Sequence, residues 1–114
     1  MKRGIFVPRY ADSEEPEEIS AMLIGAYAVH PPLGDAFDTW PERGTWCISH
    51  RATGVGVVNV RGRADAYKLA THFATLPAMT LADYIAKNAA YAALRDTIQE
   101  RIATFFDEYP KARP

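Results

Sequence analysis

The order of apolar and polar positions predicts a β-hairpin in the middle of the chain. Alternate residues from 46 to 50 are apolar or aromatic, with Trp46, Ile48 and His50 on one face, and residues 55–61 are rich in β-branched side chains. Gly54 between the two runs can supply the positive φ that such turns need. Gly56 inside the second run indicates a bulge or a close approach by another backbone. We therefore predict a hairpin over residues 46–61.

The segment before the hairpin has the spacing of an amphipathic helix. Asp12 or Ser13 offers an N-cap, and two prolines after His30 would end the helix. A short strand is predicted within residues 4–10, and Pro8 restricts it to the edge of a sheet. The apolar residues that recur at i, i+3 and i+4 and predict a helix over residues 13–29 are Ile19, Met22, Leu23, Ala26 and Tyr27.

Two helices are predicted after the hairpin. Residues 81–109 contain neither Gly nor Pro, Thr80 caps them in a box with Asp83, and one continuous helix would be roughly 40 Å long. Asn88 interrupts the apolar stripe, so the continuity of this helix is left open. The fold class is α+β: one domain over residues 1–114, with a small antiparallel sheet packed against three helices in the order β-α-ββ-α-α. The other helix, over residues 63–76, has an inner face of Ala66, Leu69, Ala70, Phe73 and Leu76.

Charge is distributed unevenly along the chain, although the net charge is only −1. Residues 10–42 carry eight acids and no Lys or Arg, whereas residues 43–68 carry five bases and one acid. Cys47 is the single cysteine, which excludes an intrachain disulfide. The apolar runs are shorter than the roughly 20 residues that span a bilayer. We therefore expect a cytoplasmic protein with no membrane association.

The connection over residues 31–45 combines acidic and aromatic residues without a helical or strand period. Aromatic side chains are enriched at interface hot spots, which predicts a protein-binding loop. The alternative is that Phe37 and Trp40 fold back onto the core. Acids near residue 14 extend the predicted surface, although acids at a helix start also suit the helix dipole. The candidate partner-binding residues are Asp35, Phe37, Asp38, Trp40, Glu42, Glu14 and Glu18.

Basic residues of the hairpin and the following helix predict a second surface. Nucleic-acid phosphates are usually bound by several Lys or Arg side chains on one face. Arg51 and Arg61 lie near opposite ends of a hairpin strand and need not be neighbours. The alternative is a solvated hairpin edge that pairs with the acidic segment of the same molecule. The candidate nucleic-acid-binding residues are Arg51, Arg61, Arg63 and Lys68, with His50 beside them.

The residues with catalytic or metal-binding chemistry lack the usual spacing. His30, His50 and His72 do not form a ligand motif, so we expect no metal and no cofactor. Cys47 with His50 or His72 is a conceivable nucleophile and base. Cys47 lies in the middle of a predicted strand beside Trp46, and this position instead favours the role of a small buried hydrophobic residue. We therefore expect a protein that is not an enzyme.

A cassette of the hairpin and helix covers about a quarter of the chain and consists of Trp46-x-Ile48-x-His50, Thr53-Gly54, Arg63-Ala64, Ala66 and Ala70. This cassette resembles units found in small accessory proteins of bacterial phages and plasmids. With its small size and acidic aromatic loop, the chain is also similar to anti-CRISPR-type inhibitors, which bind a defence complex. The resemblance implies a non-enzymatic inhibitor of a host nucleic-acid-handling complex; the alternative is an accessory protein that binds nucleic acid through the basic hairpin.

The predicted length of the last helix leads to one further expectation. A domain of this size cannot cover a helix of roughly 40 Å completely. Part of residues 81–109 would then pair with a partner or with a second copy of the chain. We therefore expect a possible homodimer through this helix.

Overall fold

The computed structural model describes residues 2–8, 18–31 and 44–114. These residues form a five-stranded antiparallel sheet, with the strands in sequential order, and three α-helices. The α+β class is confirmed, but all five strands precede the helices, so the predicted order is wrong. The elements are β1 (Lys2–Phe6), β2 (Ile19–Ile24), β3 (Tyr27–His30), β4 (Thr45–His50), β5 (Gly56–Arg61), α1 (Arg63–Phe73), α2 (Leu81–Ala86), α3 (Ala89–Glu108) and a 3₁₀ turn (Pro110–Ala112).

The helix predicted over residues 13–29 is wrong where the structure describes it, because β2 and β3 form a hairpin there. Ile24 pairs with Tyr27 across the turn, and Gly25 adopts a φ of 57° in that turn. All four residues of β3 are buried, so the strand lacks the alternation that identifies a half-buried strand. The predicted N-cap at Asp12 or Ser13 lies outside the described residues.

The sheet separates two clusters of buried side chains. On the face covered by α1, Tyr27, Trp46 and Ile48 belong to the larger cluster. Fully burying an aliphatic or aromatic side chain of this kind contributes about 1.5–3 kcal/mol relative to leaving it exposed. The predicted inner face of α1 is confirmed for Ala66, Leu69, Ala70 and Phe73, which are buried in this cluster. The smaller cluster on the opposite face consists of Phe6, Ile19, Ala21, Leu23 and Ala28.

The predicted hairpin over residues 46–61 is confirmed as β4 and β5. Gly54 has a φ of 73° in the connection. A register shift follows Ile48, because Ile48 pairs with Val58 whereas Ser49 pairs with Gly56. This irregularity is the predicted bulge. The predicted N-terminal edge strand is β1, which pairs with β2 and ends before Pro8.

The segment over residues 81–109 is broken at Asn88, so it is not one long helix. Lys87 ends α2 with a left-handed φ of 50°, and the Asn88 side chain accepts a hydrogen bond from the Tyr91 N–H at the start of α3. The predicted capping box of Thr80 and Asp83 is present at α2. α3 therefore spans about 30 Å. Within the described ranges, no helix is both long and apolar enough to cross a membrane.

Candidate functional site

The strand directions bring two acidic connections to the same end of the sheet. Phe6 pairs with Ile19 and His30 pairs with Cys47, so the chain leaves and re-enters the sheet at this end over residues 7–18 and 31–44. These two connections carry all eight acids found in residues 10–42. We call them the acidic end of the sheet. The opposite end, which we call the turn end, carries the β2–β3 turn and the β4–β5 connection.

The residues predicted to bind a partner belong to the acidic end, but the structure describes only one of them. Glu18 is exposed immediately before β2. The other predicted residues lie outside the described residues: Glu14, Asp35, Phe37, Asp38, Trp40 and Glu42.

The predicted basic residues are divided between the two ends of the sheet. Arg51 lies at the turn end, where its guanidinium donates a hydrogen bond to the Gly25 carbonyl at 2.9 Å. Arg61 ends β5 at the acidic end, where it pairs with Thr45, and Arg63 begins α1 two residues later. The six-residue strand β5, which separates this end from Arg51, spans about 17 Å. Lys68 lies on α1, with its Nζ 4.4 Å from the Tyr109 ring centroid. The four predicted residues therefore do not form one basic face.

A buried polar cluster lies on the sheet face opposite the helices. His30 Nδ1 is 2.8 Å from the Pro31 carbonyl oxygen, and His30 Nε2 is 2.9 Å from Ser49 Oγ. Because a carbonyl can only accept, Nδ1 carries the proton and the Ser49 hydroxyl donates to Nε2. Cys47 Sγ lies 3.4 Å from the same Oγ, and the Phe6 ring stacks on His30 with centroids 5.2 Å apart.

This cluster has the order of a nucleophile, a base and an orienting acceptor, but its burial indicates a structural role. His30 and Ser49 are only 1% and 2% exposed, so a substrate would reach the hydroxyl only if the side chains around it moved. Burial lowers the pKa of His30 and raises the pKa of Cys47, which favours the neutral imidazole and the protonated thiol. The hydrogen bonds instead satisfy polar groups that would be costly to bury alone.

The second buried imidazole, His50, lines a pocket between the β4–β5 hairpin and helices α2 and α3. His50 is 2% exposed, and its Nδ1 lies 3.2 Å from Thr53 Oγ1. Its Nε2 is buried and has no hydrogen-bond partner among the described residues. The pocket has a volume of about 200 Å³. Its apolar walls include Val57, Leu94, Ile98 and Ile102.

Two tyrosines line one side of this pocket, and a lysine lies against their rings. The Tyr84 and Tyr91 rings meet edge to face, with centroids 5.8 Å apart. Lys87 Nζ lies 3.5 Å from the Tyr84 centroid and 4.5 Å from that of Tyr91. The left-handed backbone of Lys87 is the break between α2 and α3. The break between the two helices therefore lies beside the two rings.

Sequence reasoning missed both buried histidine environments. His30 ends β3, and the neighbouring strand β4 supplies Ser49. His50 was correctly placed on the inner face of its strand with Trp46 and Ile48. The pocket beside it was invisible, because α3 follows more than thirty residues later. Among the described residues, no group of three His, Cys, Asp or Glu side chains is arranged to hold a metal ion.

Comparisons of the chain with protein-family models, with curated proteins and with solved structures found no match. Its function is therefore inferred from its own residues and their arrangement.

Proposed function

We propose that this chain is a non-enzymatic accessory protein that binds a protein partner through its acidic end. The observation that carries the proposal is the strand topology: residues 7–18 and 31–44, whose sequences contain eight acids in total, both begin and end at strand ends on the same side of the sheet. The partner class is a host nucleic-acid-handling complex of the kind that anti-CRISPR-type inhibitors bind. The chain would be phage- or plasmid-encoded.

Charge complementarity supports this partner class. A protein groove that binds nucleic acid is lined with Lys and Arg, because duplex DNA carries one negative charge per about 1.7 Å of helix axis. Eight carboxylates in two segments that are anchored at one end of the sheet would offer such a groove competing negative charge, which favours rapid encounter and orients the complex. Phe37 and Trp40, in the second connection, would add the aromatic anchors that interface hot spots usually contain.

The burial of the reactive groups supports a binding role over an enzymatic one. Ser49 and His30, the pair with the most suitable geometry for chemistry, are almost fully buried. The Cys47 thiol has a raised pKa, which disfavours the thiolate that a nucleophilic cysteine needs. The hydroxyl is therefore buried and the half-buried thiol is not activated as a nucleophile.

Direct nucleic-acid binding through the basic hairpin has weaker support. Arg51 is separated from Arg61 and Arg63 by the length of β5. Arg61 and Arg63 also share their end of the sheet with the acidic connections, which reduces the attraction of phosphates to that surface.

Affinity capture from host cells followed by mass spectrometry would identify the partner, and competition would then test the proposed surface. We expect the purified partner to be released from the chain by added duplex DNA and by raised salt. The triple variant Asp35→Asn, Asp38→Asn and Trp40→Ala should bind at least about 100-fold more weakly, because one hot-spot side chain alone accounts for about 2 kcal/mol or more.

A matched control removes two charges elsewhere. Glu100→Gln with Glu108→Gln alters exposed carboxylates on α3 and should leave partner binding unchanged. Unchanged binding of the triple variant, with a normal melting temperature, would refute the proposed surface. Retention of the chain on DNA at low salt, lost when Arg51, Arg61 and Arg63 are reversed in charge, would support the nucleic-acid alternative.

A homodimer through residues 81–109 remains part of the proposal, although its original reason is weaker. The break at Asn88 replaces one helix of roughly 40 Å with two shorter helices, which a small domain covers more easily. Size-exclusion chromatography with light scattering distinguishes the monomer from the dimer directly.

A further inference from the structure

We infer that the pocket between the β4–β5 hairpin and helices α2 and α3 binds a small aromatic molecule that carries a hydroxyl group. The simplest probe of this class is phenol. The pocket lies near the turn end of the sheet, so it is separate from the acidic end that carries the proposed partner surface. The inference therefore stands independently of the protein-binding role.

The size and the walls of the pocket fit one aromatic ring. Its volume is about 200 Å³, and an apolar cavity of about 150 Å³ in another protein is known to accept benzene. Leu94, Ile98 and Ile102 form a stripe along α3 that faces the hairpin residue Val57 across this space. Ile98 and Ile102 are only partly buried, so a ring between the two walls would remove further apolar surface from water.

His50 supplies the polar anchor. Its Nε2 is buried without a hydrogen-bond partner among the described residues, and His50 is one of the residues that line the pocket. Because Nε2 itself is buried, a ligand in the pocket reaches it only when the side chains that cover it move. A buried polar atom in this state is unfavourable until a partner reaches it. A ligand group that bonds to Nε2 therefore gains more than the same group would gain at the surface.

The chemistry of a neutral imidazole favours a hydroxyl partner. Burial lowers the pKa of His50, which favours the neutral ring, and Nε2 is then a donor or an acceptor according to the tautomer at Nδ1. A hydroxyl can both donate and accept, so it pairs with either tautomer. A carboxylate can only accept, and it would lose its hydration among apolar walls. Arg95, the cation that lines the pocket, already forms an ion pair with Asp96 at 3.3 Å.

Titration of the folded chain with phenol, benzene and benzoate, followed by NMR, tests the inference. We expect phenol to bind with a Kd of about 1 mM or tighter, as a ligand of seven heavy atoms can. The shifts should concentrate on His50 and on the α3 residues of the pocket. The imidazole resonances of buried His30 and exposed His72 should stay unchanged. Phenol should bind about tenfold more tightly than benzene, and benzoate should bind least.

Two variants separate the polar anchor from the apolar space. His50→Leu should remove most of the preference for phenol over benzene. Ile98→Phe, which fills the pocket and leaves His50 in place, should abolish the binding of both ligands. If His50→Leu does not fold, the wild-type preference for phenol and the loss of binding in Ile98→Phe decide the question.

Several results would overturn the inference. The pocket would not be a ligand site if phenol produced no shifts at His50 or α3 up to its solubility. Equal affinity for phenol and benzene would exclude His50 as the anchor, and tighter binding of benzoate would exclude the hydroxyl class. None of these results depends on the acidic end, so failure here leaves the proposed protein-binding function untouched.

Discussion

His30 and His50 are both buried in the same sheet, on opposite faces of neighbouring strands, yet their environments differ. Both ring nitrogens of His30 are hydrogen-bonded, to the Pro31 carbonyl and to Ser49 Oγ. His50 bonds through Nδ1 to Thr53, whereas its Nε2 has no partner in the part of the chain that the structure describes. The comparison indicates that burial alone does not identify a functional histidine, and that an unsatisfied atom beside a pocket is more informative.

The cause of the difference is the chemistry of the neighbouring residues on each face. His30 pairs with Cys47, and Ser49, two residues further along β4, presents its hydroxyl on the same face. His50 instead pairs with Tyr27, whose ring meets the imidazole edge to face at 5.5 Å. On that side, the sheet and α3 present mainly apolar side chains. Polar neighbours thus complete the hydrogen bonding of His30, while apolar neighbours leave His50 Nε2 without a partner among the described residues.

The largest expected effect separates the two histidines by their contribution to stability. His30→Leu leaves the Ser49 hydroxyl and the Pro31 carbonyl without their partner, and should lower the free energy of unfolding by about 2–4 kcal/mol. His50→Leu removes an unsatisfied nitrogen, while Thr53 Oγ1 still accepts from the Val55 N–H, so its effect should stay within about 1 kcal/mol. Urea denaturation of both variants measures this difference. Equal losses of unfolding free energy in the two variants would contradict the proposed difference between His30 and His50.

The next effect is a pH dependence of stability that both histidines share. Burial lowers the pKa of each imidazole in the folded state, so the unfolded chain binds more protons below a pH of about 6.5. Stability is therefore complete above that pH and falls as the pH decreases, by at most about 1.4 kcal/mol per pH unit for each histidine. Urea midpoints between pH 7.5 and 5 test this, and each leucine variant should lose its own share of the slope. A flat profile would mean that the folded state accommodates the charged rings.

A smaller effect should be confined to the His50 side of the molecule. Thr80→Ala removes the side chain that accepts from the Asp83 N–H at 3.0 Å, and should cost about 1 kcal/mol. Because α2 contributes Tyr84 to the pocket, hydrogen exchange should increase in α2 and at the start of α3. The amides around His30 should keep their wild-type protection, and faster exchange there would show that the two regions are coupled.

The smallest effect is expected beside the His30 cluster. Gly56→Ala would place a Cβ 3.6 Å from Cys47 Sγ and 4.0 Å from Ser49 Oγ, which are ordinary contact distances. The change in the free energy of unfolding should stay below about 0.5 kcal/mol. Gly25→Ala is the contrasting control, because its φ of 57° and a Cβ only 2.8 Å from that of Ala74 make it clearly destabilising. A large loss in Gly56→Ala would show that the His30 face is more tightly packed than these distances indicate.

Several parts of the fold could be predicted from the chain because their signals are local. The β4–β5 hairpin depends on alternating residues and on Gly54, and the Thr80 cap of α2 depends on the spacing to Asp83. Asn88 was noticed as an interruption, but the break itself depends on the left-handed conformation of Lys87, which no propensity of lysine indicates.

The helix predicted over residues 13–29 failed for a physical reason. Side chains on both faces of the sheet are buried at β2 and β3, so apolar residues occupy consecutive positions and also match a helical spacing. The sequence signal for the hairpin was Gly25, because glycine readily adopts the positive φ of tight turns between strands, as Gly25 does here.

The chemistry of the candidate sites was present in the chain, but its assembly depended on the fold. The acidic residues are visible in the sequence, whereas strand direction decides that the two segments containing them start and finish at the same end of the sheet. Which histidine is satisfied depends on register, since pairing aligns His30 with the strand that carries Ser49 and His50 with Tyr27. The pocket beside His50 depends on where α3 packs. Local sequence specifies elements and charges, while convergence of distant residues depends on pairing and packing between elements.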